Sequence, residues 1–276
     1  MLTGGLWNTT VQFPPTVNLI LYIALWVVIA AGITFIFVRG RAAGFNMRWT
    51  TQDILMLAVM GVLLEVYDNL IGDQFITPVL KLLPASDIIH DLALNDIPYM
   101  FLLMVGIALI RKPGVAVALV FLNFLLMQLL YGSDKSSVLW WQYGIYQGLF
   151  VDIYFVARGK QIFQQANGRA IVDGLVMGAL RAVPAVTISS ALVGPFLNGD
   201  TTTFGDIFLN SSLNLVGNGL AAGLLAPLAI RVAQSINQNA TVEASADASV
   251  TPALAGTLAT PPASQLSTDV PTPPAE

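Results

Sequence analysis

The sequence predicts an all-α, polytopic membrane protein with a six-helix core preceded by one additional transmembrane helix. Three observations carry this reading. Of the 276 residues 55% are hydrophobic and only 10% are charged, and the mean hydropathy is +0.72. The apolar residues gather into long runs, roughly Val17–Val38, Asp53–Ile71, Ile97–Ile110, Val115–Tyr131, Leu139–Ala157, Ile171–Val193 and Ile207–Ile230. Third, the basic residues between the runs alternate. Arg39, Arg41, Arg48, Arg111, Lys112, Arg158, Lys160, Arg169 and Arg231 lie at junctions of one parity, only Lys81 and Lys135 at the other, and Arg181 lies within a run. Basic loops resist translocation, so the first parity is the cytoplasmic side. Seven crossings then put the N-terminus outside and the C-terminus in the cytoplasm, in a cell-membrane protein.

A hydrocarbon core of about 30 Å needs roughly 20 helical residues per crossing. Helices are expected because lipid cannot satisfy an open backbone. Residues 1–16 form a short outside segment. Val17–Val38 reads as an additional transmembrane helix, too long for a signal peptide and followed, not preceded, by its arginines. Residues 53–233 form the six-helix core. Its first helix opens at Thr50, which has capping-box spacing to Asp53. Ile97–Ile110 and Val115–Tyr131 are short and joined by the tight Arg111-Lys112-Pro113-Gly114 turn, hence a helical hairpin. From about 238 to 276 the chain is rich in Ala, Thr, Ser and Pro, and such a segment buries too little apolar surface to fold, so a disordered cytoplasmic tail is expected.

Ionisable residues within spans are functional candidates because charge in a bilayer is expensive. Glu65 and Asp68, three residues apart, share one helical face with Gly61 and Gly72. Two carboxylates facing an outward cavity favour a cationic or hydrogen-bond-donating ligand; the plainer reading is that they meet water at the helix end. Asp152 and Arg181 lie deeper, and pairing would neutralise both. Asp173 reads as a helix-start residue.

Trp140, Trp141, Tyr143 and Gln147 enter the membrane from outside in a segment that also holds Gln142 and Tyr146. An aromatic belt explains the rings, and rings beside amides also suit a flat heterocycle. Asn210, Asn214 and Asn218 recur every four residues, making a polar stripe that ties helices together or, at Asn214, lines a cavity. Gly174, Gly178 and Ala182 form a small-residue packing ridge. His90, with Asp87, Asp91 and Asp96 in the outer loop 72–96, fits no strong metal template, so no metal site is expected. The same loop, with Ile88-Ile89 and Leu92-Ala93-Leu94, is a candidate lid.

The chain contains no GxxxxGK[ST] phosphate loop, no GxSxG and no HExxH, and the last run holds no lysine for a retinal. An enzyme is therefore not expected, nor a cofactor, nor a nucleic-acid partner.

One stretch goes further. Gly106-Ile107-Ala108-Leu109-Ile110-Arg111-Lys112-Pro113-Gly114-Val115-Ala116, then Tyr143-Gly144-Ile145-Tyr146-Gln147-Gly148 and Asp152-Ile153-Tyr154-Phe155, resembles the YkoE-like substrate-binding (S) components of energy-coupling factor (ECF) importers. Leu57-Ala58-Val59-Met60-Gly61-Val62 also looks like the opening of that group's first core helix, and the resemblance covers about residues 53–233. Asp152 stands where the group has Glu, Asn123 where another acidic residue is expected, and Ala58 is followed four residues later by Val62 in place of a small residue.

The resemblance implies an S-component-like core that captures a vitamin-like small molecule from outside, of the thiamine or hydroxymethylpyrimidine type. It also implies two kinds of partner, a transmembrane coupling protein and a pair of cytoplasmic ABC-type ATPases. Side and depth in the membrane select Glu65, Asp68, Trp140, Trp141, Tyr143, Gln147 and Asn214 as substrate-binding residues. The rival readings are a stand-alone seven-helix sensor or receptor, and a proton-coupled secondary transporter using Asp152, Glu65 or Asp68.

Overall fold

Apolar runs of this length satisfy their backbone in lipid only as helices, and the regular elements among the described residues are helices, with one isolated Thr10–Thr203 bridge besides. The computed structural model describes residues 5, 7–84, 92–131 and 138–255, with side chains throughout except at 131 and 239–255. Asp87, His90 and Asp91, the centre of the proposed lid, and Lys135 fall outside the described residues.

Helix α1 spans Pro15–Ala42 and α2 spans Thr51–Leu80, including a widened π-helical stretch at Val66–Ile76. The hairpin follows, with α3 at Ile97–Ile110 and α4 at Val115–Tyr131. Helix α5 is Trp141–Arg158, α6 is Gly168–Leu197 with a second π-helical stretch at Ser189–Val193, and α7 is Phe204–Ala255. Helices α1, α2, α6 and α7 are long and apolar enough to cross a membrane, and the hairpin adds two shorter apolar helices. The chain divides into two units, residues 1–234 and 235–276. The second is described as far as Ala255, and its described residues are helical.

Within the first unit, large apolar side chains face outward. Ile20, Val27 and Val38 on α1, Leu55 on α2 and Leu224 on α7 are each more than 60% exposed. Water would penalise such a surface, whereas hydrocarbon accommodates it, so the protein reads as a helical membrane protein on its surface as well as in its sequence. The polar groups turn inward, and Glu65, Asn123, Gln142, Gln147, Asp152, Asp173, Arg181 and Asn218 are all buried.

Helix α5 packs against α1, α4 and α6. Its Gly148 makes the tightest contact: a Cβ there would lie 2.4–2.6 Å from the backbone of Ala116 and Val117 at the start of α4. One turn later the buried Asp152 accepts a hydrogen bond from Val117 N at 2.7 Å, placing a carboxylate where the N-terminal peptide dipoles of α4 favour it. Tyr146 on another face donates to Leu25 O of α1 at 2.9 Å. Gly174 and Gly178 of α6 admit the backbone of α7 at Ala222 and Asn218, which is the close contact expected of a small-residue ridge.

The Arg-Lys-Pro-Gly turn is an architectural clamp. Arg111 adopts φ +47° and Gly114 φ +90°, and Arg111 Nη2 donates to Lys160 O at 2.8 Å and Ile162 O at 3.1 Å. Lys112 is buried in a salt bridge with Asp53, itself capping α2 through Thr50. Pro113 lies against Gly40 of α1. Arg158 Nε reaches Asp173 at 2.9 Å, where Tyr154 also donates at 2.7 Å. Asp173 therefore ties α5 to α6 instead of serving as a helix-start residue; Asn167 caps α6. All these contacts lie at the end of the bundle where the sequence places its basic junctions.

Candidate functional site

The opposite end of the bundle is hollow. A cavity of about 230 Å³ opens between α2, α3, α4, α5 and α6. Asp68, Asn69 and Asp73 reach it from the π-helical stretch of α2, and Asp96 and Tyr99 from the start of α3. Asn123 and Phe124 of α4, Tyr143 and Gln147 of α5, and Arg181 of α6 complete the polar and aromatic part of the wall. A π-helical turn displaces side chains from ordinary helical register and recurs at functional sites. Here it brings Asp68, Asn69 and Asp73 to one lining.

A second chamber of about 260 Å³ adjoins the first, sharing Asp96, Tyr143 and Arg181 and adding Ser189, Ser190, Asn210 and Asn214. The ion pair between Arg181 Nη1 and Asp96, at 2.7 Å, thus borders both chambers. The same Nη1 donates to Asn218 Oδ1 at 2.8 Å, and Asn218 Nδ2 is bound to Asn214 Oδ1 at 3.0 Å. The guanidinium lies over the Tyr99 ring, 4.3 Å from its centroid. Across the cavity Asn123 Nδ2 donates to Asp68 Oδ2 at 3.2 Å.

The segment carrying Asp96 is pinned from behind. A side chain at Gly217 of α7 would overlap the Leu92 carbonyl, its Cβ lying 1.8 Å from that oxygen. Only glycine lets α7 and this segment meet so closely. The close approach holds the start of α3 against α7 and so keeps Asp96 within reach of Arg181.

Of the residues selected from sequence, Asp68, Tyr143 and Gln147 line the first cavity and Asn214 the second, with Tyr143 shared by both. Glu65, Trp140 and Trp141 are not among the residues lining either chamber. Glu65 is buried one turn before Asn69 and accepts its Nδ2 at 2.8 Å. Trp140 is buried edge-on against Tyr143, with centroids 6.3 Å apart, and Trp141 meets Phe121 at 5.2 Å.

The expected Asp152–Arg181 pair is corrected: Arg181 pairs with Asp96, and Asp152 caps α4. The reason is depth. At 1.5 Å per residue Arg181 lies about 20 Å along α6 from the basic end, whereas Asp152 lies only about 9 Å from it along α5. Sequence reasoning passed over Asp73, Asp96, Tyr99 and Asn123 as pocket residues. An arginine deep in the far half of a span needs a counter-charge at equal depth, and Asp96, just before a span that starts on the same side, is the residue that signal points to.

Chemically, among the described residues, the first cavity sets Asp68, Asp73 and Asp96 against one cation, Arg181, and surrounds them with Tyr99, Phe124 and Tyr143. An excess of carboxylates beside aromatic faces suits a small flat molecule bearing a cationic or hydrogen-bond-donating group. Among the described residues, no group of three or more His, Cys, Asp or Glu side chains is arranged to hold a metal ion. The chain matches no family model, no curated protein and no solved structure.

Proposed function

We propose that this protein is the membrane-embedded substrate-capture subunit of an ATP-driven importer of the ECF type, taking thiamine, its hydroxymethylpyrimidine precursor or a similar small heterocycle from outside the cell. The observation that carries the reading is the acidic, aromatic-walled cavity at the end of the bundle opposite the basic junctions. With basic loops in the cytoplasm, that cavity faces outward, the N-terminus is outside and the C-terminus is inside. Helices α2–α7 correspond to a six-helix S-component core, and α1 is an added helix fastened to α5.

Two further features support the reading. The sequence lacks a phosphate loop, in keeping with a subunit whose energy comes from partner ATPases through a coupling membrane protein. The two motifs that carry the family resemblance also share one physical role. The Arg-Lys-Pro-Gly turn closes the basic end, and Gly148 with Asp152 seats that turn's following helix on α5. The role of the subunit is capture and reorientation, without covalent chemistry.

The test is binding of thiamine and hydroxymethylpyrimidine to the purified full chain, compared with Asp68→Asn and Glu65→Gln. Saturable binding that Asp68→Asn abolishes is expected, with a smaller loss in Glu65→Gln, which acts through Asn69. Undiminished binding in both variants would remove the pocket from the account.

One observation favours a second reading, a proton-coupled carrier. Glu65 is 1% exposed and its Oε2 has no hydrogen-bond partner among the described residues, as suits a carboxyl that carries a proton. Uptake into vesicles driven by a pH gradient, with the chain as the sole protein, would decide for it.

A further inference from the structure

Two buried polar atoms of residues that line the first cavity have no hydrogen-bond partner among the described residues, and they are of opposite kind. Asn123 is 5% exposed, and with Nδ2 committed to Asp68 its acceptor Oδ1 has no hydrogen bond among the described residues. Arg181 is 7% exposed, and with Nη1 held by Asp96 and Asn218 its donor Nε likewise has none among the described residues. Native interiors rarely leave such atoms unsatisfied, because each forfeits its hydration without return.

Both groups are also fixed in orientation. Turning the Asn123 amide over would set its oxygen against the Asp68 carboxylate. The guanidinium is clamped at one end by an ion pair and an amide, and stacked on Tyr99. A donor and an acceptor locked in place on one small cavity are preorganised to read a ligand. Arginine contributes only donors, so Nε calls for a ligand acceptor, and Asn123 Oδ1 calls for a ligand N–H or O–H.

We propose that Arg181 and Asn123 form the specificity pair of this site, Arg181 Nε donating to an acceptor and Asn123 Oδ1 accepting from a donor on the same small ligand. The inference rests on the capture reading above and deepens it. A neutral or cationic heterocycle whose edge carries both a ring nitrogen and an amino or hydroxyl group fits. A purely cationic amine without an acceptor satisfies the carboxylates but leaves Arg181 Nε bare, and is rejected.

The test is a cycle of ligands against variants, by titration calorimetry on the full-length protein in detergent. The probes are 4-amino-5-hydroxymethyl-2-methylpyrimidine, the same compound without its amino group, and its benzene analogue in which both ring nitrogens are C–H. Wild type is expected to bind each analogue roughly 10- to 100-fold more weakly than the parent, the range for one hydrogen bond to a buried or charged partner. Asn123→Leu should erase the penalty for losing the amino group and keep the penalty for losing the ring nitrogens. Arg181→Lys, which retains the charge for Asp96 but lacks Nε, should do the reverse.

That crossed pattern cannot arise from general damage to the fold. Equal binding of all three probes by wild type overturns the specificity pair and leaves the capture reading standing, and this arm needs no variant. So does a penalty that persists unchanged in the variant meant to erase it. Binding of none of the probes by wild type defeats the capture reading for this ligand class and the inference with it.

Discussion

Gly148→Ala is the substitution through which the packing account is most exposed. The added methyl would stand 2.4 Å from Val117 Cα, 2.5 Å from Val117 N and 2.6 Å from the Ala116 carbonyl carbon. These are backbone atoms at the start of a helix and cannot rotate aside. Contact at a normal separation of about 3.5 Å requires α4 to retreat by roughly 1 Å. The Asp152–Val117 hydrogen bond, now 2.7 Å, then stretches beyond bonding range. Overpacking costs about 1–3 kcal/mol and a lost hydrogen bond to a carboxylate roughly 1.5–3 kcal/mol. The combined loss of about 3–5 kcal/mol corresponds to a fall in Tm on the order of 10 °C for a chain of this size. The assay is thermal unfolding of the purified protein in detergent followed by tryptophan fluorescence. Gly168→Ala is the control, since a Cβ there meets nothing within 4 Å. A Gly148→Ala protein melting within about 2 °C of wild type would refute the claimed seating of α4 on α5.

Two other expectations follow from the clamp and the charge pattern. Lys112→Met strands the buried Asp53 carboxylate without its cation, and breaking a buried pair from one side costs about 3–5 kcal/mol. The same unfolding assay should show it, and pairing it with Asp53→Leu should restore much of the loss. Because the sequence contains no cysteine, single-cysteine variants report topology without background. Lys81→Cys should react with a membrane-impermeant maleimide on intact cells and Arg169→Cys only after permeabilisation; the opposite pattern would invert the orientation.

Much of the architecture was legible because it rests on one-dimensional rules. The hairpin helices begin and end at the apolar boundaries at Ile97, Ile110, Val115 and Tyr131, since the Arg111-to-Gly114 turn needs two left-handed residues that no helix accommodates. The Thr50–Asp53 capping box is visible in the sequence by its spacing. The site was legible only in part. Depth and side select Asp68, Tyr143, Gln147 and Asn214, which line the two chambers. They did not find Asp73, which enters the lining through a π-helical stretch that shifts side-chain register and leaves no periodic trace. Charge sign alone pairs Arg181 with Asp152, whereas depth pairs it with Asp96, and the turn carrying the family resemblance sits at the end remote from the cavity.

The central claim is that this chain captures a ligand for a machine whose motor is elsewhere. The direct measurement is purification of the tagged, full-length protein from its native membranes in mild detergent, with partners identified by mass spectrometry. The account expects stoichiometric recovery of a second polytopic membrane protein together with ABC-type ATPases. Recovery of the protein alone, joined to ligand uptake by proteoliposomes that contain nothing else, would contradict it.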